Sequence, residues 1–240
     1  MHLTSGRLAA VVIGIPMTLA LAVFGAFSLV GTFARTSEQH AASYPWQGHG
    51  EISLNLSSGD VQIQTGSGTQ VGVVYTEHYE LRKPTVSAAR LDGGLQLKAS
   101  CPGGVFGNNC AINYVVTVPA SVSLVLYTGA GDVQLGATTG TIAVNTGDGD
   151  VNGTELVSKT VNASTGNGDI QLGWDVAPTT VVTTTDDGDI ALVVPPGTAY
   201  KVSAHTGNGS THVTVPQDQA APASISADTG NGDIHITPAS

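Results

Sequence analysis

A short glycine turn recurs along the second half of the chain as YTGAGDVQL, NTGDGDVNG, STGNGDIQL, TTDDGDIAL, HTGNGSTHV and DTGNGDIHI. Its last position is Asp132, Asp150, Asp169, Asp189, Ser210 and Asp233, at spacings of 18, 19, 20, 21 and 23 residues. An earlier single copy reads Ser58-Gly-Asp60-Val-Gln-Ile63. A period near 20 residues marks a chain that stacks small units, none of which can bury its apolar face alone. The apolar positions agree. Leu124 and Leu126 precede the first turn, and Val133 and Leu135 follow it. The same offsets give Val161 and Ala163 with Ile170 and Leu172, then Val181 and Thr183 with Ile190 and Leu192, then Ile225 and Ala227 with Ile234 and Ile236. The spacing across the turn is constant while the connections between units drift, so the turn is the fixed element.

Each turn residue has a physical role. Both glycines are expected to reach positive φ, the Asn or Asp between them tolerates the left-handed region, and the Thr ends the strand. The final Asp is expected to accept N–H bonds from its own turn, to face solvent, or to share a cation with a neighbour. Upstream, Glu51-Ile-Ser-Leu-Asn-Leu56 and Tyr114-Val-Val-Thr-Val118 alternate with period two, and no window shows the 3.6 period of an amphipathic helix. The predicted class is therefore all-β. A repeat-built β-solenoid, resembling a parallel β-helix, is favoured because near-identical turns reward stacking like over like. An antiparallel β-sandwich or roll, with each unit a hairpin, is the alternative.

Leu8–Phe33 carries no charge and lies between Arg7 and Arg35. It is long enough to cross a bilayer, and too long for the apolar region of a cleaved signal peptide. The expected organisation is a cytoplasmic tail over 1–7, a transmembrane signal anchor over 8–33, a linker over 34–48 and an extracytoplasmic β-repeat domain over 49–240. Cys101 and Cys110 are the only cysteines and enclose CPGGVFGNNC. A disulfide suits that compartment. A free thiol pair and half of a metal site are the other readings, the latter with no further cysteine to complete it. The formal charge of −10 arises wholly after residue 100, where Lys159 and Lys201 face twelve acids. An acidic surface repels phosphates, so nucleic acid is not an expected partner.

These features resemble a bacterial family of putative adhesins, the domain of unknown function 4097, in which a membrane or signal segment precedes strand pairs punctuated by T-G-S-G-D turns. Val116-Thr-Val-Pro119-Ala leading into Leu124-Val-Leu-Tyr-Thr-Gly129 is similar to that family's entry into its first repeat. The resemblance spans 51–240 and implies a β-solenoid-like fold and a cell-envelope location. It implies no established activity.

G-x-G-D invites comparison with the calcium-binding nonapeptide, but that motif needs tandem copies about nine residues apart. No cofactor is expected, and calcium would make at most weak contacts at Asp132, Asp150, Asp169, Asp189 and Asp233. Ser210 supports this, read as a lost ligand in the middle of the row that an obligatory ion chain would not survive. His205, His212 and His235 lack a second histidine at ligand spacing on any one strand and read as solvent-facing. No catalytic residue emerges, because uniform repetition explains the aspartates. The expected function is a non-catalytic envelope surface module for adhesion, scaffolding or sensing, with envelope proteins or cell-surface glycans as partners. A carbohydrate-active β-helix enzyme is the rival.

Overall fold

The computed structural model describes residues 36–80, 82–91, 93–102 and 110–239. The predicted membrane helix lies outside the described residues. Among the described residues, no helix is long and apolar enough to cross a membrane. The strands before the repeats are β1 (Thr36–Pro45), β2 (Glu51–Leu56), β3 (Val61–Gly66), β4 (Gln70–Tyr79), β5 (Thr85–Leu91), β6 (Gly94–Ser100) and β7 (Ala111–Pro119). The repeats contribute β8 (Ser123–Ala130), β9 (Val133–Leu135), β10 (Ile142–Asp148), β11 (Val151–Leu156), β12 (Thr160–Asn167) and β13 (Ile170–Trp174). They continue with β14 (Thr180–Asp187), β15 (Ile190–Val194), β16 (Lys201–Asn208), β17 (Thr211–Val213), β18 (Ser224–Asn231) and β19 (Ile234–Pro238).

The two strands of a repeat do not pair with each other. The strand before each glycine turn joins one sheet and the strand after it joins the other, so the turn is a corner rather than a hairpin. Like strands then stack in parallel and in register: Val161 lies against Val181, Thr165 against Thr185 and Ile170 against Ile190. This is a β-solenoid. The apolar positions identified from the repeat, with Thr183 among them, are all buried between the two sheets. Antiparallel pairing occurs as well, at one end only, where β4 pairs with β7, β1 with β4 and β5 with β6. Residues 36–45, expected to be linker, thus form an edge strand. Its inward positions alternate with exposed ones along the full length.

The coils are not stacked in sequence order. From the β1 end, they run β6–β7, β2–β3, β8–β9, β10–β11, β12–β13, β14–β15, β18–β19 and β16–β17. The chain lays down β2–β3, adds β6–β7 on one side of it, and continues from β8–β9 on the other side. At the far end it places β16–β17 outermost and returns to insert β18–β19 beneath it. The first and last coils in sequence are both interior in space.

Cys101 and Cys110 form a disulfide between the end of β6 and the start of β7, nine positions apart. Closing so short a loop stabilises by roughly 2.5 kcal/mol through the unfolded chain. Reduction, or a Cys101→Ala/Cys110→Ala pair, is expected to lower the unfolding free energy by about that amount with the stack retained. Denaturant titration followed by far-UV circular dichroism measures it.

Candidate functional site

The turn aspartates form one line along the stack. The backbone N–H of Asp150 donates to Oδ1 of Asp132 at 2.9 Å, that of Asp169 to Asp150 at 2.8 Å, and that of Asp189 to Asp169 at 2.8 Å. Asp233 donates to Asp189 at 2.7 Å, and Ser210 donates to Asp233 at 2.7 Å. At the other end Asp132 donates to Asp60, and Asp60 donates to the side-chain oxygen of Asn113, which holds the equivalent place on β7. Each carboxylate therefore accepts from the next coil, a partner not among the three roles expected of it, which were its own turn, solvent or a shared cation. The Thr of each turn donates with the same polarity, to the coil beneath. Thr165 Oγ1 donates to the Gly149 carbonyl at 2.8 Å and Thr185 Oγ1 to that of Gly168 at 3.0 Å. Between them, Gly149 N–H donates to the Asn167 carbonyl at 2.8 Å.

This stacking explains the glycines. Gly168 has φ 148°, and a Cβ there would lie 2.2 Å from the Gly149 carbonyl oxygen, so a side chain is excluded twice. The first glycine of the turn is different. Gly147 has no left-handed φ, and only close approach to the coil beneath argues for it. Asp186 stands in that position in its own turn, so the site tolerates a side chain. Both glycines were expected to need positive φ; only the second does.

Ser210 is not in the middle of the row. Its coil, β16–β17, is outermost, so no further N–H waits for a carboxylate. The serine marks the end of the ladder rather than a gap in it. The same coil order brings His212 beside His235, with ring centroids 5.9 Å apart, although both are exposed as expected. Sequence spacing gave no sign of that pair, because it depends on β17 lying next to β19.

Three surfaces remain. On the outside of the first sheet, a shallow groove of about 600 Å³ crosses β7, β3, β9 and β11, with Asp60, Gln62, Asp132, Gln134, Asn152 and Thr154 along it. On the outside of the second sheet, Tyr127 is 50% exposed, with Asn55 and Asn145 as its register neighbours. Val125 and Val182 are exposed on the same face. The third surface is the open end, where β1 and β4 extend one sheet and β5 extends the other. A cavity of about 350 Å³ lies between them, lined by His40, Tyr44, Tyr75, Val86, Leu97 and Tyr114. The rings of His40, Tyr75 and Tyr114 stack in sequence, 4.9 and 5.4 Å between centroids.

Beside this cavity, Lys83 Nζ lies 2.6 Å from Glu38 Oε2 and 3.2 Å from Glu77 Oε2. The Tyr79 hydroxyl donates to Glu38 Oε1 at 2.8 Å. The Lys83 bond, followed by that of Tyr79, holds the Glu38 carboxyl below its usual range, and Glu38 and then Glu77 hold the Lys83 ammonium above its own. Burial pushes the Tyr75 and Tyr114 hydroxyls up. Nothing in the sequence pattern marked this group, since Glu38 and His40 fall in the stretch that reads as linker.

A protein-family profile described as Toastrack DUF4097 matches residues 51–239. No curated protein matches the chain. Among solved structures, a "putative adhesin" from Bacteroides fragilis is 13% identical, covers 83% of this chain and 97% of its own, and superposes with a TM-score of 0.52. A "putative cell adhesion protein" from Clostridium sporogenes is 18% identical, covers 85% and 100%, and has a TM-score of 0.49.

The ladder makes a graded prediction. Asp169→Ala removes the acceptor for the Asp189 N–H and is expected to cost about 1–2 kcal/mol. Asp169→Asn keeps an acceptor oxygen and should cost less. Ser210→Ala, at the end of the row, should fall within about 0.5 kcal/mol of the parent. Chemical denaturation of the three variants checks this order, and equal losses at Asp169 and Ser210 would contradict it.

Proposed function

The chain belongs to the Toastrack DUF4097 family, and on that premise we propose that it is a non-catalytic module of the cell envelope, held at the membrane by residues 8–33 and presenting the coil stack outside the cytoplasm for adhesion, scaffolding or envelope sensing. The observation that carries this reading is the use to which the acids are put. Asp60, Asp132, Asp150, Asp169, Asp189 and Asp233 each accept a backbone N–H from the next coil. Sugar-cleaving sites need carboxylates free to donate or accept a proton at a bond, held across it in a pocket. The groove on the first sheet offers Asp60 and Asp132, and both are tied into the ladder.

What the stack presents instead is two broad faces. One is rich in amides, with Gln62, Gln134, Asn152 and Gln171 on its outward positions, and the other carries Tyr127 among Asn55, Asn145 and the exposed valines. Amides and a ring on a flat, rigid sheet suit envelope proteins or cell-surface glycans, which need many weak contacts in fixed register. The disulfide fits the same location, because such bonds persist in oxidising compartments.

Protease shaving of intact cells is expected to digest the β domain, and protection until lysis would refute the outward orientation. Tyr127→Ala is expected to weaken retention of the purified chain on isolated envelope material without changing its melting temperature. Turnover of an envelope polysaccharide that a single Asp60→Ala or Asp132→Ala change abolishes would overturn the non-catalytic reading.

A further inference from the structure

The side chains at the open end do what the coil ladder does not need. We propose that Glu38, His40 and Glu77 form a binding site for a divalent transition metal of zinc's type, which Lys83 occupies when no metal is bound. The placement follows from the antiparallel pairing. Glu38 and Glu77 are direct register partners on β1 and β4, and His40 lies two residues further along β1 on the same inward face. One ligand atom from each of the three lies within 4.8 Å of the others. His40 Nε2 is 3.6 Å from Glu38 Oε2 and 3.7 Å from Glu77 Oε2. Tetrahedral zinc with bonds of about 2.0–2.1 Å holds its donors roughly 3.4 Å apart, so the two His40 distances need to close by only a few tenths of an ångström.

A second observation is independent of the spacing. Glu77 is 2% exposed, and its Oε2 accepts no hydrogen bond among the described residues. His40 Nε2, aimed at the same point, is shielded from solvent and equally unbonded. Burying a carboxylate oxygen without a hydrogen bond is costly unless a charge faces it. The Lys83 ammonium, 3.2 Å away, is that charge. It sits on the segment between β4 and β5 and is half-exposed, so it can withdraw into water. Two carboxylates against one ammonium leave a net negative charge, which a divalent ion in the ammonium's place would neutralise. The imidazole nitrogen favours zinc and its neighbours over calcium and magnesium, which take oxygen donors. Bound there, the ion would fasten β1, an edge strand whose one sheet partner among the described residues is β4.

The test is titration calorimetry of the full chain in detergent, stripped with chelator and titrated with zinc chloride. One zinc per chain is expected. His40→Gln and Glu77→Gln should each weaken binding at least ~10-fold, and Lys83→Met should tighten it by about as much, since the competing ammonium is gone. Circular dichroism verifies folding; should Glu77→Gln unfold, the half-exposed His40→Gln decides. The site would be overturned by no zinc binding in either the parent or Lys83→Met, by binding unchanged in His40→Gln, or by binding lost in His212→Gln instead, which would place the ion on the paired surface histidines. Magnesium binding as tightly as zinc would equally remove the imidazole from the site.

Discussion

The bond from one coil's N–H to the preceding coil's aspartate is the constraint from which the rest of the stack follows. It fixes the corner, because a carboxylate reaches the next N–H only when the turn is tight and the coils lie in register. It fixes the second glycine, since the carbonyl beneath leaves no room for a Cβ. Equivalent positions are about 4.8 Å apart in a parallel sheet, where neighbouring carboxylates repel by ~0.9 kcal/mol in water and ~3.5 at an effective dielectric of 20. The row sits on the surface, where screening brings the cost toward the lower figure, and each charge has an N–H to offset it. The adjacent row needs no such tolerance. Asp148, Asn167, Asp187 and Asn231 alternate acid with amide, and each Asn donates to an Asp at 2.6 Å.

A ladder of this kind has a direction, so its two ends differ. At one end Asn113 supplies the first acceptor, and β4 and β1 then close the sheet with antiparallel pairs that no turn aspartate can join. At the other end the Ser210 N–H donates the last bond, and its side chain offers no carboxylate beyond it. An Asp there would present an unpaired acceptor beside the open edges of β16 and β17, in register for another coil.

The repeat made the fold class and the buried faces legible, because residues nine apart across a fixed turn have to share a core, while it favoured a corner over a hairpin without deciding between them. Coil order was not legible. The copies are near-identical, so any permutation buries the same side chains, and only the lengths of the connections bear on the choice. That hidden order turned Ser210 from an end into an apparent gap and concealed the meeting of His212 and His235. The strand at 36–45 escaped for another reason. TSEQHAASYP places Glu38 and His40 inward, and polar residues facing a charged mouth carry no hydrophobic alternation to read. The open end is thus the part of the molecule where chemistry and pattern part company.

The permuted order also changes what kind of object the solenoid is. In a simple array each repeat touches only its sequence neighbours, so the ends fray and stability is a sum over units. Here the first coil, β2–β3, is clasped between β6–β7 and β8–β9, and the last, β18–β19, between β14–β15 and β16–β17. The C-terminal strands cannot peel away without opening a double interface, and β16–β17 cannot dock in its final place until the chain beyond it has come back. Residues 224–238 therefore act as a keystone whose arrival joins the outermost coil to the rest. The two departures from sequence order create ladder contacts that span 72 residues between Asp60 and Asp132 and 44 between Asp189 and Asp233, against 18 to 20 between successive repeats, which lengthens the search during folding. In the folded state the same arrangement encloses the first and last coils in sequence, leaving β1, β5 and the outer edge of β16–β17 as the elements with a partner on one side alone among the described residues.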